Sequence, residues 1–111
     1  MTPHPVVSEL DQVASEVLAE ARRQHARRSA RTLVTGSALR ATVIGVVQGA
    51  QLAEHDAPTA ATLQVVSGRV TVHTHQEEWK LEPGQLMAIP HKRHGVTASS
   101  DAVVLLTVAL R

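Results

Sequence analysis

A chain of 111 residues and 11.9 kDa has room for one domain, and folding at that size buries only about 65% of the surface of the unfolded chain. Hydrophobic residues make up 43% and charged residues 19%, which excludes wholesale disorder, and a formal net charge of +1 excludes the broad basic field that gathers nucleic acid or anionic membrane. The absence of cysteine removes disulfides, thiolate nucleophiles and Cys-ligated zinc or iron–sulfur clusters together, so any metal must be held by His, carboxylate or water. With Trp79 the sole aromatic residue, the core must be built from Val, Leu, Ile and Ala, and β-branched Val packs best on pleated sheet. The first ten residues show neither a basic n-region nor an apolar h-region, and no stretch approaches ~20 uninterrupted apolar residues. A soluble, cytoplasmic, β-rich protein is the expectation.

From Ser8 to Arg28 the apolar residues Leu10, Val13, Val17, Leu18 and Ala21 recur at helical spacing and mark one stripe of an amphipathic α-helix. Ser8 is the expected N-cap, with Asp11 three residues on. Glu9, Asp11 and Glu16 crowd the start and Arg22, Arg23, Arg27 and Arg28 the end, in keeping with the helix dipole. The basic run from Arg22 to Arg31 reads either as a solvated helix end or as a phosphate-binding patch. No aromatic is interleaved for base stacking, which favours the former. Residues 1–30 are thus an amino-terminal arm and helix, and 31–111 a second unit.

After Ala30 the period changes to two. Short segments alternate with turn residues: Arg31–Thr35, Arg40–Gln48, Ala61–Ser67, Arg69–His75, Glu78–Leu81, Gln85–Ile89, Gly95–Ala98 and Ala102–Leu110. Gly36-Ser37, Gly49, Pro58, Ser67-Gly68, Pro83-Gly84, Pro90 and Ser99-Ser100-Asp101 punctuate them. No helix inside this series is long enough for parallel crossovers, so an antiparallel sandwich or barrel follows.

Gly49 to His55, followed by Ala61 to Gly68, resembles the first motif of the cupins: a glycine, two histidines one residue apart, a glutamate and a closing glycine. Gly84 to His94 is similar to the second cupin motif, with Pro90 in place but one residue fewer before His94. Fifteen residues separate Gly68 from Gly84, a spacing typical of small single-domain cupins, and Glu78 to Leu86 resembles the strand, Pro-Gly turn and strand that lead into the second motif. The resemblance covers about residues 40 to 110. It implies an all-β fold, a cupin-type jelly-roll β-barrel preceded by one amino-terminal α-helix.

In cupins three histidines and a carboxylate hold a divalent metal inside the barrel, a ligand set suited to iron, manganese, nickel or zinc. By this resemblance His55 and His94 stand at two of the histidine positions, while Ala57 and Ala61 occupy those of the second histidine and the glutamate. His55, Ala57, Ala61 and His94 then line a ligand pocket, and any metal on His55 and His94 is completed by water and weakly held. His73 and His75 share one strand face, but their neighbours Val70 and Val72 are the better candidates for the interior. His91 falls in the loop before His94, Asp56 beside His55 could act as a carboxylate ligand or base but on a strand would point away from the His55 face, and His4 and His25 belong to the amino-terminal region. Two functions stay open. One is a non-catalytic barrel that binds or senses a small molecule; the other is a metal-dependent enzyme of dioxygenase or isomerase type using His55 and His94. No helix-turn-helix accompanies the barrel, so direct nucleic-acid binding is not expected. The carboxy-terminal run Val103 to Leu110 is apolar on both faces and needs cover from the helix or from a second subunit, and a homodimer is expected.

Overall fold

The computed structural model describes residues 6–55 and 60–110, with the backbone alone at 53–55. One helix, α1 (Leu10–Arg23), precedes nine strands: β1 (Arg28–Thr35), β2 (Leu39–Val46), β3 (Gln51–His55), β4 (Ala60–Ser67), β5 (Val70–His73), β6 (Glu78–Leu81), β7 (Leu86–Ala88), β8 (His94–Ala98) and β9 (Ala102–Ala109). They form a five-stranded sheet in the order β1-β2-β9-β4-β7 and a four-stranded sheet in the order β3-β8-β5-β6. Every pairing is antiparallel, as the lack of crossover helices requires. The architecture is a jelly-roll barrel with one amino-terminal helix. Strand β3 is absent from the expected series, because Leu52 is the only large apolar residue in Gln51–His55 and no alternation marks it.

The five-stranded sheet is apolar on both faces, and each face has its own cover. Leu63, Val65 and Val104 face inward and meet Val70, Val72 and Val96 of the smaller sheet in the barrel core. Val43 and Val103, fully buried, and Leu33 face outward and pack under Ala14 and Val17 of α1. The outer face of β9 is thus covered by the helix at Val103, with Leu105 packed against the same cluster. The buried stripe of α1 runs through Ala14, Val17 and Ala21, whereas Leu10 is 37% exposed and Val13 and Leu18 only border the cluster. Small residues lie at the contact because the helix backbone comes very close to the sheet. A Cβ on Gly45 of β2 would lie 2.8 Å from the Val17 carbonyl oxygen and 2.9 Å from the Leu18 nitrogen. Gly68 is a second such point: at φ +73°, a Cβ there would lie 2.0 Å from the Asp101 carbonyl oxygen.

The helix is shorter than its sequence pattern. Its N-cap is Glu9, not Ser8, and no side chain caps it; Leu10–Arg23 is helical, and Gln24 is already extended. Arg27 then adopts a left-handed φ of 61°, and β1 begins at once at Arg28. The basic run is therefore not one helix end. Arg22 and Arg23 end α1, Arg27 sits in the turn, and Arg28 and Arg31 are strand residues. The reversal lays β1 alongside the helix that precedes it, so Ser29 Oγ donates to Glu20 at 2.9 Å, and Arg31 bridges Glu16 and, at 2.8 Å, Glu20. At the other end of α1, Arg22 binds Asp101 in the β8–β9 turn at 2.9 Å, and Asp101 also accepts the Gln48 N–H at 2.9 Å.

Two outcomes follow from this docking. Gly45→Ala forces the helix backbone off the sheet, and overpacking of this kind costs about 1–3 kcal/mol. Chemical denaturation should show a lowered midpoint at unchanged slope, and an unaltered midpoint would show that the close approach is not required. The second concerns acid. The Gln48 N–H and then Arg22 hold the Asp101 carboxyl below its ordinary range, and Arg31 and then Gln12 do the same for Glu16. A depressed folded pKa gives stability that is present above the unfolded value, about 4 for these carboxyls, and lost as pH falls through the folded one. Melting temperature should therefore fall below about pH 4, less steeply in Asp101→Asn; parallel acid limbs for the two proteins would contradict it.

Candidate functional site

The four-stranded sheet ends, on one side, in histidine. β3 pairs with β8 so that Gln51 lies opposite Thr97, Leu52 opposite Val96 and His55 opposite His94, with a register shift between Leu52 and His55. β8 begins at His94 rather than Gly95, and that extra residue brings the two histidine positions onto one ladder. His94 is 3% exposed and is the one buried polar residue among those described. A buried imidazole needs its ring nitrogens satisfied, and Nδ1 of His94 lies 2.9 Å from the Lys92 carbonyl oxygen. A carbonyl can only accept, so a neutral ring carries its proton on Nδ1 and its lone pair on Nε2. Lys92 supplies this contact from the loop that runs one residue short between Pro90 and His94. The shortened spacing is visible in the sequence, but the carbonyl's role is not.

The other candidate positions are placed unequally. Ala61 lies on β4, in the opposite sheet, opposite Val108, and its methyl group packs at the border of the barrel core. Ala57 and Asp56 lie outside the described residues, as do Pro58 and His4, and His55 is fixed only by its backbone register. His73 ends β5, half-buried, with Nε2 3.5 Å from Thr97 Oγ1, while Val70 and Val72 take the barrel interior. His75 and His91 are exposed in loops, and His25 is exposed in the turn after α1. Trp79 stands on β6 opposite Val72 and packs at the edge of the core.

A cupin-type metal asks four donors, and at the positions that the cupin motif assigns the sequence offers two: His55 and His94, which share a ladder, with alanines at 57 and 61. Among the described residues no group of three or more His, Asp or Glu side chains gathers that could hold a metal ion. The His94 ring orientation has its own test. Long-range ¹H–¹⁵N spectra of the neutral ring should show the Nδ1–H tautomer, and an Nε2–H tautomer would contradict the Lys92 contact.

No family model matches the sequence, and no curated protein matches it. Solved structures do. A conserved protein of unknown function from Streptococcus pyogenes is 23% identical, with a TM-score of 0.73 over 98% of this chain and 95% of that one. A cupin-2 domain containing protein from Shewanella frigidimarina is 17% identical, with a TM-score of 0.72 over 93% of this chain and 94% of that one. A variant of salicylate 1,2-dioxygenase from Pseudoaminobacter salicylatoxidans is 21% identical with a TM-score of 0.71, and the match spans 89% of this chain but only 32% of the dioxygenase. No helix of the described residues is long and apolar enough to cross a membrane. Two facing antiparallel sheets, the strand order and these likenesses agree: the chain has the fold of a small cupin domain.

Proposed function

We propose that this protein is a non-catalytic barrel that binds or senses a small molecule, with His94, and His55 opposite it in the ladder, at the polar end of an otherwise apolar interior. The observation that carries the reading is the state of His94. It is buried at the start of β8, its Nδ1 is occupied by the Lys92 carbonyl, and its inward neighbours Val96 and Val72 are apolar. Such a lining fits an apolar body that carries one group able to hydrogen-bond an imidazole. Ala57 and Ala61 leave two of the four metal positions without a donor atom, so a tightly held metal is not part of this reading. The pairing of His55 with His94 is what favours the second reading, a metal-dependent enzyme of dioxygenase or isomerase type.

Metal titration separates the two. Protein purified without a histidine tag should carry well under one iron, manganese, nickel or zinc per chain, and added Zn²⁺ or Ni²⁺ should raise the melting temperature little. A tight site behaves otherwise: metal at ~100 times its dissociation constant adds roughly 2.7 kcal/mol, several degrees for a domain of this size. Stoichiometric metal that is lost in His55→Ala or His94→Ala would overturn the binding reading in favour of the enzyme.

A further inference from the structure

The end of the barrel that holds His94 carries a second feature outside the interior. Register sets His73, the last residue of β5, opposite Gly95, so the turn after β5 and the loop before β8 stand side by side. Between them is a concavity of about 260 Å³ lined by Thr74, His75, Gln76, Lys92 and Arg93. Among the described residues no acidic side chain lines it, and Glu77 and Glu78 lie outside the lining. The turn is held in one shape, since Thr74 N donates to the Glu77 carbonyl at 2.8 Å and Thr74 Oγ1 accepts the N–H groups of Gln76 and Glu77.

The surrounding charges sharpen the point. Arg22, Arg31 and Arg69 each bind a carboxylate elsewhere on the surface. Among the described residues no carboxylate lies within ion-pair reach of Lys92 or His75. Lys92 is also the residue whose carbonyl orients His94, so its ammonium group and the buried imidazole belong to one short segment.

We propose that this concavity is an oxyanion site, which takes a carboxylate or phosphate group at the same end of the barrel as His94. The proposal goes beyond the barrel-binding reading above and does not depend on it. The Lys92 ammonium supplies charge, and the Gln76 amide and the His75 ring supply donors. The volume is several times the ~30 Å³ share of one water, enough for a carboxylate or phosphate group with part of its hydration.

The test is a ¹H–¹⁵N chemical-shift titration of the full chain with inorganic phosphate, and in a parallel arm with acetate, at fixed ionic strength. Saturable shifts at Gln76, Lys92 and Arg93 are expected with at least one of the two, and the arm that binds tighter identifies the anion. Lys92→Gln, which removes a charge, should weaken binding by about fivefold, and His75→Gln, which changes a donor, should weaken it less. Lys92→Gln keeps the backbone carbonyl on His94, and a dispersed spectrum verifies the fold. Arg23→Gln, at the end of α1, should leave the affinity unchanged. Shifts that do not saturate, or that Arg23→Gln reduces as much as Lys92→Gln does, would overturn the site. Phosphate needs no occupant inside the barrel, so its failure would leave the barrel reading standing. Conversely, stoichiometric metal together with intact phosphate binding would overturn that reading alone.

Discussion

The five-stranded sheet cannot stand alone, because both of its faces are apolar. Val43 and Val103 point to one side and Val65 and Val104 to the other, and all four are fully buried. A one-sided sheet would need only the second sheet of the barrel, but this one needs a third layer. Helix α1 is that layer, and its docking imposes small residues on both partners: Ala14 and Ala21 on the helix, and Gly45 on the strand beneath it. The reversal at Arg27, the Arg31 bridge to Glu16 and Glu20, and the Asp101 contact with Arg22 follow from the same need, since each holds the helix over the outer face. These pairs are exposed and individually weak, so the apolar contact sets the position and the ion pairs fix its direction.

The barrel was readable in the sequence because its strands are dense in Val and Leu and its turns in Gly, Pro and Ser. Ala102–Ala109 shows this well: its apolar run, broken only at Thr107, signals a strand that needs cover on both faces, and the structure places it at the centre of the larger sheet. The losses have physical causes. β3 is held by its long-range ladder with β8 and has no local pattern of its own. The helix was read too long because arginines fit a helix end as well as a strand edge, and only the packing of Ser29 and Arg31 against α1 decides between them. Ser8 suited the N-cap by type, but the helix starts one residue later, where no side chain caps it.

The site was less legible than the fold. His94 could be singled out by its motif position, but its burial and its Lys92 partner depend on the course of a five-residue stretch, Pro90 to His94, that follows no periodic pattern. Pairing of His55 with His94 rests on a register shift inside β3, and shifts of that kind are set by ladder geometry rather than by residue type. The concavity at His75 and Lys92 had no sequence signal at all. Its residues are separated by two strands and meet only because β5 and β8 pair at His73 and Gly95.

An aliphatic barrel with one buried imidazole at its end has limited chemistry without further donors. Hydrocarbon walls bind by excluding water and give little discrimination among ligands of similar shape. A single oriented ring nitrogen adds one directional contact, and in a low-dielectric interior such a contact counts for more than it would in water. Specificity must then come from where the ligand's polar groups lie relative to that ring. Lys92 ties the two features together: its carbonyl holds the imidazole and it also lines the outer concavity, so a shift of that loop would move both at once. In the proposed binding role, the segment that orients the imidazole would also be the one through which occupancy is felt outside the barrel.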